Sequence, residues 1–169
     1  MSGRLAVIVM GPAGCGKSTV GRMLAERLGA GFVEADDHHD EAARSRMARG
    51  RALSDAERLP WIARVAAAAR GDAQPTVVIA CSALGAMVRR ALTDDLGMPS
   101  RAFLLDVPAP ILLRRLATRQ AHFAGPSLLR SQLAALQPEG TEPIDGTLPP
   151  ETIAALLADR VATAESRGG

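Results

Sequence analysis

The residues with the plainest chemistry run Gly11-Pro12-Ala13-Gly14-Cys15-Gly16-Lys17-Ser18, which satisfies the spacing G-x-x-x-x-G-K-[ST]. Glycines at these positions let consecutive backbone N–H groups turn inward, and a helix that starts here points its positive dipole end at the same spot. Such a ring grips a multiply charged anion, and the phosphates of a nucleotide are that anion. Lys17 adds a mobile positive charge for the β- and γ-phosphates, Ser18 a hydroxyl for Mg²⁺, and Thr19 a hydroxyl for the α-phosphate. The nucleotide-binding set is therefore Gly11, Gly14, Cys15, Gly16, Lys17, Ser18 and Thr19, with ATP or GTP as ligand.

A second group, Glu34-Ala35-Asp36-Asp37-His38-His39, follows the short apolar run Phe32-Val33. Carboxylates at the carboxyl edge of a sheet lie where open α/β folds bind ligands. A phosphoryl acceptor must be oriented in line and lose its hydroxyl proton, which suits a carboxylate, and a second carboxylate can hold the waters of Mg²⁺. Spacing assigns Asp36 to the acceptor hydroxyl and Glu34 to the outer shell of the metal.

The elements that must position these groups alternate strand and helix. Leu5 to Met10 is an apolar run ended by Gly-Pro, the pattern of a strand buried on both faces. From Lys17 to Leu28 the residues Val20, Met23, Leu24 and Leu28 recur at helical spacing, and Gly29 follows as a left-handed stop. Further strands are expected at Phe32-Val33, Thr76 to Ala80, Ala102 to Val107 and near Pro143 to Leu148. Further helices are expected at Ala86 to Leu96, Pro108 to Arg119, Leu128 to Leu136 and Glu151 to Ala164. The polar stretch Asp36 to Arg51 reads as an irregular helical excursion. Pro60 sits too deep for an uninterrupted helix, so a turn and then a helix from Pro60 to Arg70 are expected after Ser54. This alternation predicts a three-layer α/β fold, a parallel sheet of about five strands flanked by helices.

Composition narrows the function. The 169 residues suit a single domain over 1–169, and 47% apolar with 22% charged residues is ordinary globular usage. Twenty Lys and Arg against 18 Asp and Glu leave no basic footprint for nucleic acid, and three Phe, one Trp and no Tyr supply few stacking surfaces for RNA. No apolar run approaches the ~20 residues of a membrane span, and Met1 to Arg4 leads straight into a strand-like run rather than a signal sequence. The expectation is a cytoplasmic protein with no membrane and no nucleic-acid partner. Cys15 and Cys81 have no metal-ligand spacing. The D-x-x-G after a later strand and the N-K-x-D base reader expected of a GTPase switch do not appear, and the chain is far shorter than a motor or transporter ATPase.

Beyond the phosphate loop, an ordered series resembles the gluconate kinase (gluconokinase) family of small P-loop carbohydrate kinases. That family carries D-x-D-x-x-H, K-M-x-x-G-x-P-L-x-D-x-D-R-x-P-W, C-S-A-L-K, R-x-x-x-R-x-x-H-F and L-L-x-S-Q. The counterparts are Glu34 to His39; Arg46-Met47, Gly50, Leu53, Asp55, Arg58 and Pro60-Trp61; Cys81-Ser82-Ala83-Leu84; Arg115, Arg119 and His122-Phe123; and Leu128-Leu129-Arg130-Ser131-Gln132. The match spans about residues 5 to 137. Departures include Glu34 for Asp, Ala43 for Asn and Gly85 for the Lys of C-S-A-L-K.

The resemblance implies transfer of the γ-phosphoryl of ATP to the 6-hydroxyl of D-gluconate, with Mg²⁺. Lys17, Asp36 and Arg119 are then the catalytic residues. Asp36, His39, Arg58, Ser82, Arg89 and His122 are the acceptor-binding ones, with a cation among Arg58, His39 and Arg89 for the gluconate carboxylate. Arg115 and Arg119 join the nucleotide-binding set. They stand i, i+4 on a helix that runs into a lid at about 119–130, expected to bring arginines onto the transferring phosphoryl and exclude water. Two other readings stay open: a kinase for another small hydroxylated acid or sugar such as shikimate, and a nucleotide-binding module without acceptor chemistry. A homodimer is also left open.

Overall fold

The computed structural model describes residues 3–119 and 125–167. His122 and the centre of the expected lid lie outside the described residues. Five strands, β1 (Leu5–Met10), β2 (Gly31–Glu34), β3 (Thr76–Ala80), β4 (Ser100–Asp106) and β5 (Glu142–Asp145), form one parallel sheet in the order β2-β3-β1-β4-β5. The helices are α1 (Lys17–Leu28), α2 (Glu41–Ala48), α3 (Asp55–Gly71), α4 (Ala86–Leu96), α5 (Ala109–Ala117), α6 (Pro126–Ala135) and α7 (Pro150–Arg167).

Because side chains alternate across a strand, β1 divides the core into two. Ala6, Ile8 and Met10 face a cluster with Ile62 and Val65 of α3 and Leu92 and Leu96 of α4. Val7 and Val9 face the other, with Leu24 of α1, Leu112 of α5 and Ile153 and Leu157 of α7. The expected three layers are thus present. β1 and β3 are neighbours, yet the helices that follow them, α1 and α4, lie on opposite faces of the sheet. The loops leaving their carboxyl ends diverge and open a crevice between them, the place where doubly wound folds bind ligands.

Two sequence expectations are corrected. Helix α3 starts at Asp55 rather than Pro60 and carries Pro60 inside it. The Ser54 hydroxyl accepts from the Glu57 N–H while the Glu57 carboxylate accepts from the Ser54 N–H, a complete capping box. The Ser54 N–H and then Arg46 of α2, which also bonds Glu57, hold that carboxyl down to about 2. A proline past the first turn costs about 3 kcal/mol. The cap and the buried face of Trp61, Ile62, Val65, Ala66 and Ala69 outweigh it.

The last strand is also displaced, to Glu142–Asp145. Beyond it the Asp145 carboxylate accepts from the N–H and hydroxyl of Thr147, and the Gly146 N–H donates to Asp106 O at 2.8 Å, so the chain turns where continued strand was expected. Pro143 is tolerated because β5 is an edge strand. The Arg101 guanidinium grips both Glu142 carboxylate oxygens at 2.7–2.9 Å and fastens that edge to β4.

Candidate active site

The phosphate loop joins β1 to α1, and its glycines are demanded by geometry at two places in particular. Gly11 has φ 150°, and a Cβ on it would stand 2.6 Å from the Cys15 Sγ. Gly16, with φ 95°, is the N-cap of α1 and leaves the helix mouth without a side chain over it. The Cys15 side chain is buried beneath the loop and its N–H donates to Pro12 O at 3.2 Å. Arg115 reaches in from α5, donating to the carbonyls of Gly14 and Cys15 at 3.2 and 3.3 Å and to Gly146 O at 3.1 Å. Carbonyl oxygens held by that guanidinium are kept off the face where an anion would bind. Thr19, Arg115 and Arg119 line a cavity of about 340 Å³ beside Gly14–Gly16.

On the other side of Lys17 is a second, smaller cavity of about 70 Å³. Segments far apart in sequence build it: Ala13 and Lys17 from the loop, Asp36 and His39 after β2, Met47 of α2, Leu53, Arg58 and Trp61 around α3, Ser82 after β3, and Leu128 and Gln132 of α6. The 3₁₀ turn Ala35–His38 presents Asp36. Its position is fixed from beneath, because the buried Trp61 indole N–H donates to Ala35 O at 2.6 Å. The His39 ring stacks on Trp61, with centroids 4.2 Å apart and planes 13° from parallel, and its Nε2 lies 3.9 Å from Asp36 Oδ1. Burial lowers the pKa of His39 below the ordinary 6.5 against the opposing pull of Asp36, so the ring is neutral at pH 7. The Arg58 guanidinium pairs with Asp55 Oδ1 at 3.1 Å and also borders the cavity.

Glu34, at the end of β2, sits among Ser18, Asp36 and Lys17. Burial, aided by the charge of Asp36, raises its pKa above 4.5, while a hydrogen bond from Ser18 and the charge of Lys17 pull it back down. Its Oε1 is buried with no hydrogen-bond partner among the described residues. An unpartnered carboxylate oxygen beside a serine hydroxyl is a hard-oxygen donor set of the kind Mg²⁺ takes together with phosphates and waters. The residues present therefore fit that cation.

Lys17, Asp36, His39, Arg58 and Ser82, expected to act on acceptor or phosphoryl, meet at the smaller cavity. Arg89 does not join them, a correction to its placement as an acceptor cation. Buried on α4, it donates to the carbonyls of Ala83 and Leu84 at 3.0 and 2.9 Å and of Gln137 and Glu139 at 2.6 and 2.9 Å. Those bonds clamp the turn after β3, where Ala83 holds a left-handed φ of 39° and Ser82 is aimed at the cavity. Arg115 likewise borders the cavity beside Thr19 and not the one holding Asp36. Gln132 closes the Leu128–Gln132 series, and nothing local marks a helical glutamine for a role. Its Oε1 accepts from the Ala13 N–H at 2.7 Å. Gly85 lies against Asp55, where a Cβ would be 3.5 Å from the carboxylate, so a side chain at this position would reach the partner of Arg58.

A family model described as an AAA domain matches residues 7–139. A mouse protein named "Probable gluconokinase" is 37% identical over 177 residues, covering 90% of this chain and 96% of the mouse protein. The chain is a member of the gluconokinase family. A gluconokinase of Gluconobacter oxydans is 39% identical over 141 residues, covering 82% of this chain and 79% of its own. Among solved structures, a gluconokinase from Sinorhizobium meliloti superposes with a TM-score of 0.77 at 30% identity, covering 96% of this chain and 97% of that one. Membership in the gluconokinase family agrees with the resemblance carried by the motif series and with the P-loop kinase fold.

Proposed function

We propose that this chain transfers the γ-phosphoryl group of ATP to the 6-hydroxyl of D-gluconate, giving 6-phosphogluconate and ADP. The observation that carries the reading is the convergence of Lys17 from the phosphate loop with Asp36 and Arg58 on one cavity. The loop amides and Lys17 hold the β- and γ-phosphates, Thr19 the α-phosphate, and the crevice beside Arg115 the rest of the nucleotide. Asp36 accepts the proton of the 6-hydroxyl as its oxygen attacks phosphorus and the bond to the β-phosphate oxygen breaks. Arg58 pairs with the gluconate carboxylate, and the neutral His39 and Ser82 bond its hydroxyls. Ser18, with Glu34 through water, would hold Mg²⁺, which supplies charge neutralisation on the phosphates when bound. Arg119, two residues beyond α5, neutralises the transferring group, and Arg89 keeps Ser82 in place.

On this reading residues 1–169 act as a single kinase domain with small-molecule partners. Its compartment is the cytoplasm, where ATP is supplied. Among the described residues no helix is long and apolar enough to cross a membrane.

A coupled ADP assay with MgATP and gluconate tests the proposal, and the absence of gluconate-dependent ADP formation would refute it. Asp36→Asn is expected to lower kcat by on the order of 10²-fold or more while ADP binding stays within a factor of about 2. An unchanged kcat would remove Asp36 from the mechanism.

A further inference from the structure

The mechanism above leaves one polar side chain of the acceptor cavity without a task. Gln132 is half-buried on α6, and Gln132, Ala13, Lys17 and Asp36 line the same cavity. A carboxamide has one accepting end and one donating end. The accepting end, Oε1, takes the Ala13 N–H at 2.7 Å, and a backbone N–H can only donate. The orientation of the amide is thereby fixed, with its NH₂ as the end left over. Among the described residues no hydrogen bond is formed by that NH₂.

We infer that Gln132 is an acceptor-binding residue whose NH₂ donates to an oxygen of the polyhydroxy acid, and that it can do so only while α6 is docked on the phosphate loop. The inference rests on the gluconokinase reading and adds a residue to it. Gln132 joins the third residue of the loop to a helix 119 positions away in sequence. One side chain thus ties the placement of the acceptor to the shape of the loop that holds the donor. An NH₂ group suits hydroxyl or carboxylate oxygens, which accept, and adds no charge that would compete with Lys17 for the phosphoryl.

Two substitutions separate this role from simple support of the loop. Gln132→Glu keeps an oxygen for the Ala13 N–H and loses the NH₂; Gln132→Met loses both. Both are expected to raise the gluconate KM by roughly 10-fold, as loss of a hydrogen bond to a ligand does, with the ATP KM and the thermal midpoint little changed. Quenching of Trp61, the single tryptophan and a wall of the cavity, gives gluconate affinity in the presence of ADP without turnover and is expected to weaken in parallel. Wild-type gluconate affinity in Gln132→Glu beside an impaired Gln132→Met would overturn the inference, since the contact with the loop would then be the whole role. Equal damage to the ATP and gluconate KM in both variants would overturn it as well. Absence of gluconate-dependent ADP from the unsubstituted chain is a different failure, that of the underlying reading, and it would be seen before any variant is made.

Discussion

The loop at Gly11–Ser18 and the cavity wall running through Asp36, Arg58, Ser82 and Gln132 meet at Lys17, yet they are made in opposite ways. The loop is contiguous chain whose shape comes from backbone torsions at Gly11 and Gly16 and from the start of α1. The wall is assembled from four separate stretches, each held by a neighbour: Ala35 by the Trp61 indole, the Ser82 turn by Arg89, Arg58 by Asp55, and Gln132 by Ala13. A grip on phosphate can be written locally because every peptide unit carries an N–H to offer. Recognition of one hydroxy acid needs several side chains at fixed mutual distances, which a single stretch of chain cannot supply.

The two sides should therefore fail differently. Lys17→Met, on the donor side, removes the positive charge at the point of transfer and is expected to lower kcat by on the order of 10³-fold with any acceptor. An effect confined to the gluconate KM would break the division of labour. Arg58→Ala, on the acceptor side, should raise the gluconate KM by roughly 10- to 100-fold, the worth of a charge-assisted hydrogen bond. Its nucleotide affinity, measured by titration with ADP, should not move. Gly85→Lys places an ammonium within reach of Asp55 and competes with Arg58 for that carboxylate. Releasing the guanidinium toward the acceptor should lower the gluconate KM by about 3-fold, in the range of an exposed ion pair. A raised KM would show instead that Asp55 is needed to hold Arg58 in place.

The smallest expected effect is one of pH. The folded state keeps His39 neutral to a lower pH than the unfolded chain, where the ring titrates near the ordinary 6.5. The unfolded chain therefore binds more protons just below that value, so stability rises with pH through this window and is lost as pH falls through 6.5. Urea midpoints at pH 5.5 and 7.5 should differ in this direction. The difference should shrink in His39→Phe, which keeps the stack on Trp61; an undiminished difference would assign it to other groups.

Local signals carried a good part of this molecule. The run Leu5 to Met10, the helical spacing from Lys17 to Leu28 and the loop between them stand where the sequence placed them, because apolar periodicity and glycine torsions act over a few residues. Asp36 was legible from its place after a short strand, and Arg58 and Ser82 from the motif series. At Pro60 the local propensity against an internal proline is overridden by the burial of Trp61 and Ile62, which only packing against the sheet provides.

Arg89 shows the limit most clearly. As a residue type it was a fitting partner for a carboxylate, and nothing in the chain around it says that two carbonyls of the preceding turn and two from a turn 48 and 50 positions away converge on its guanidinium. Gln132 is the reverse case, a residue of no special local character that tertiary docking sets against the loop. The sequence by itself determined the phosphate grip, the alternation of strands and helices and the side of the sheet on which the site lies. Only the tertiary structure decided which polar groups face the smaller cavity and which are consumed in holding its walls, because hydrogen-bond partners are set by distance in space and neutralised or freed by neighbours the chain reaches only after folding.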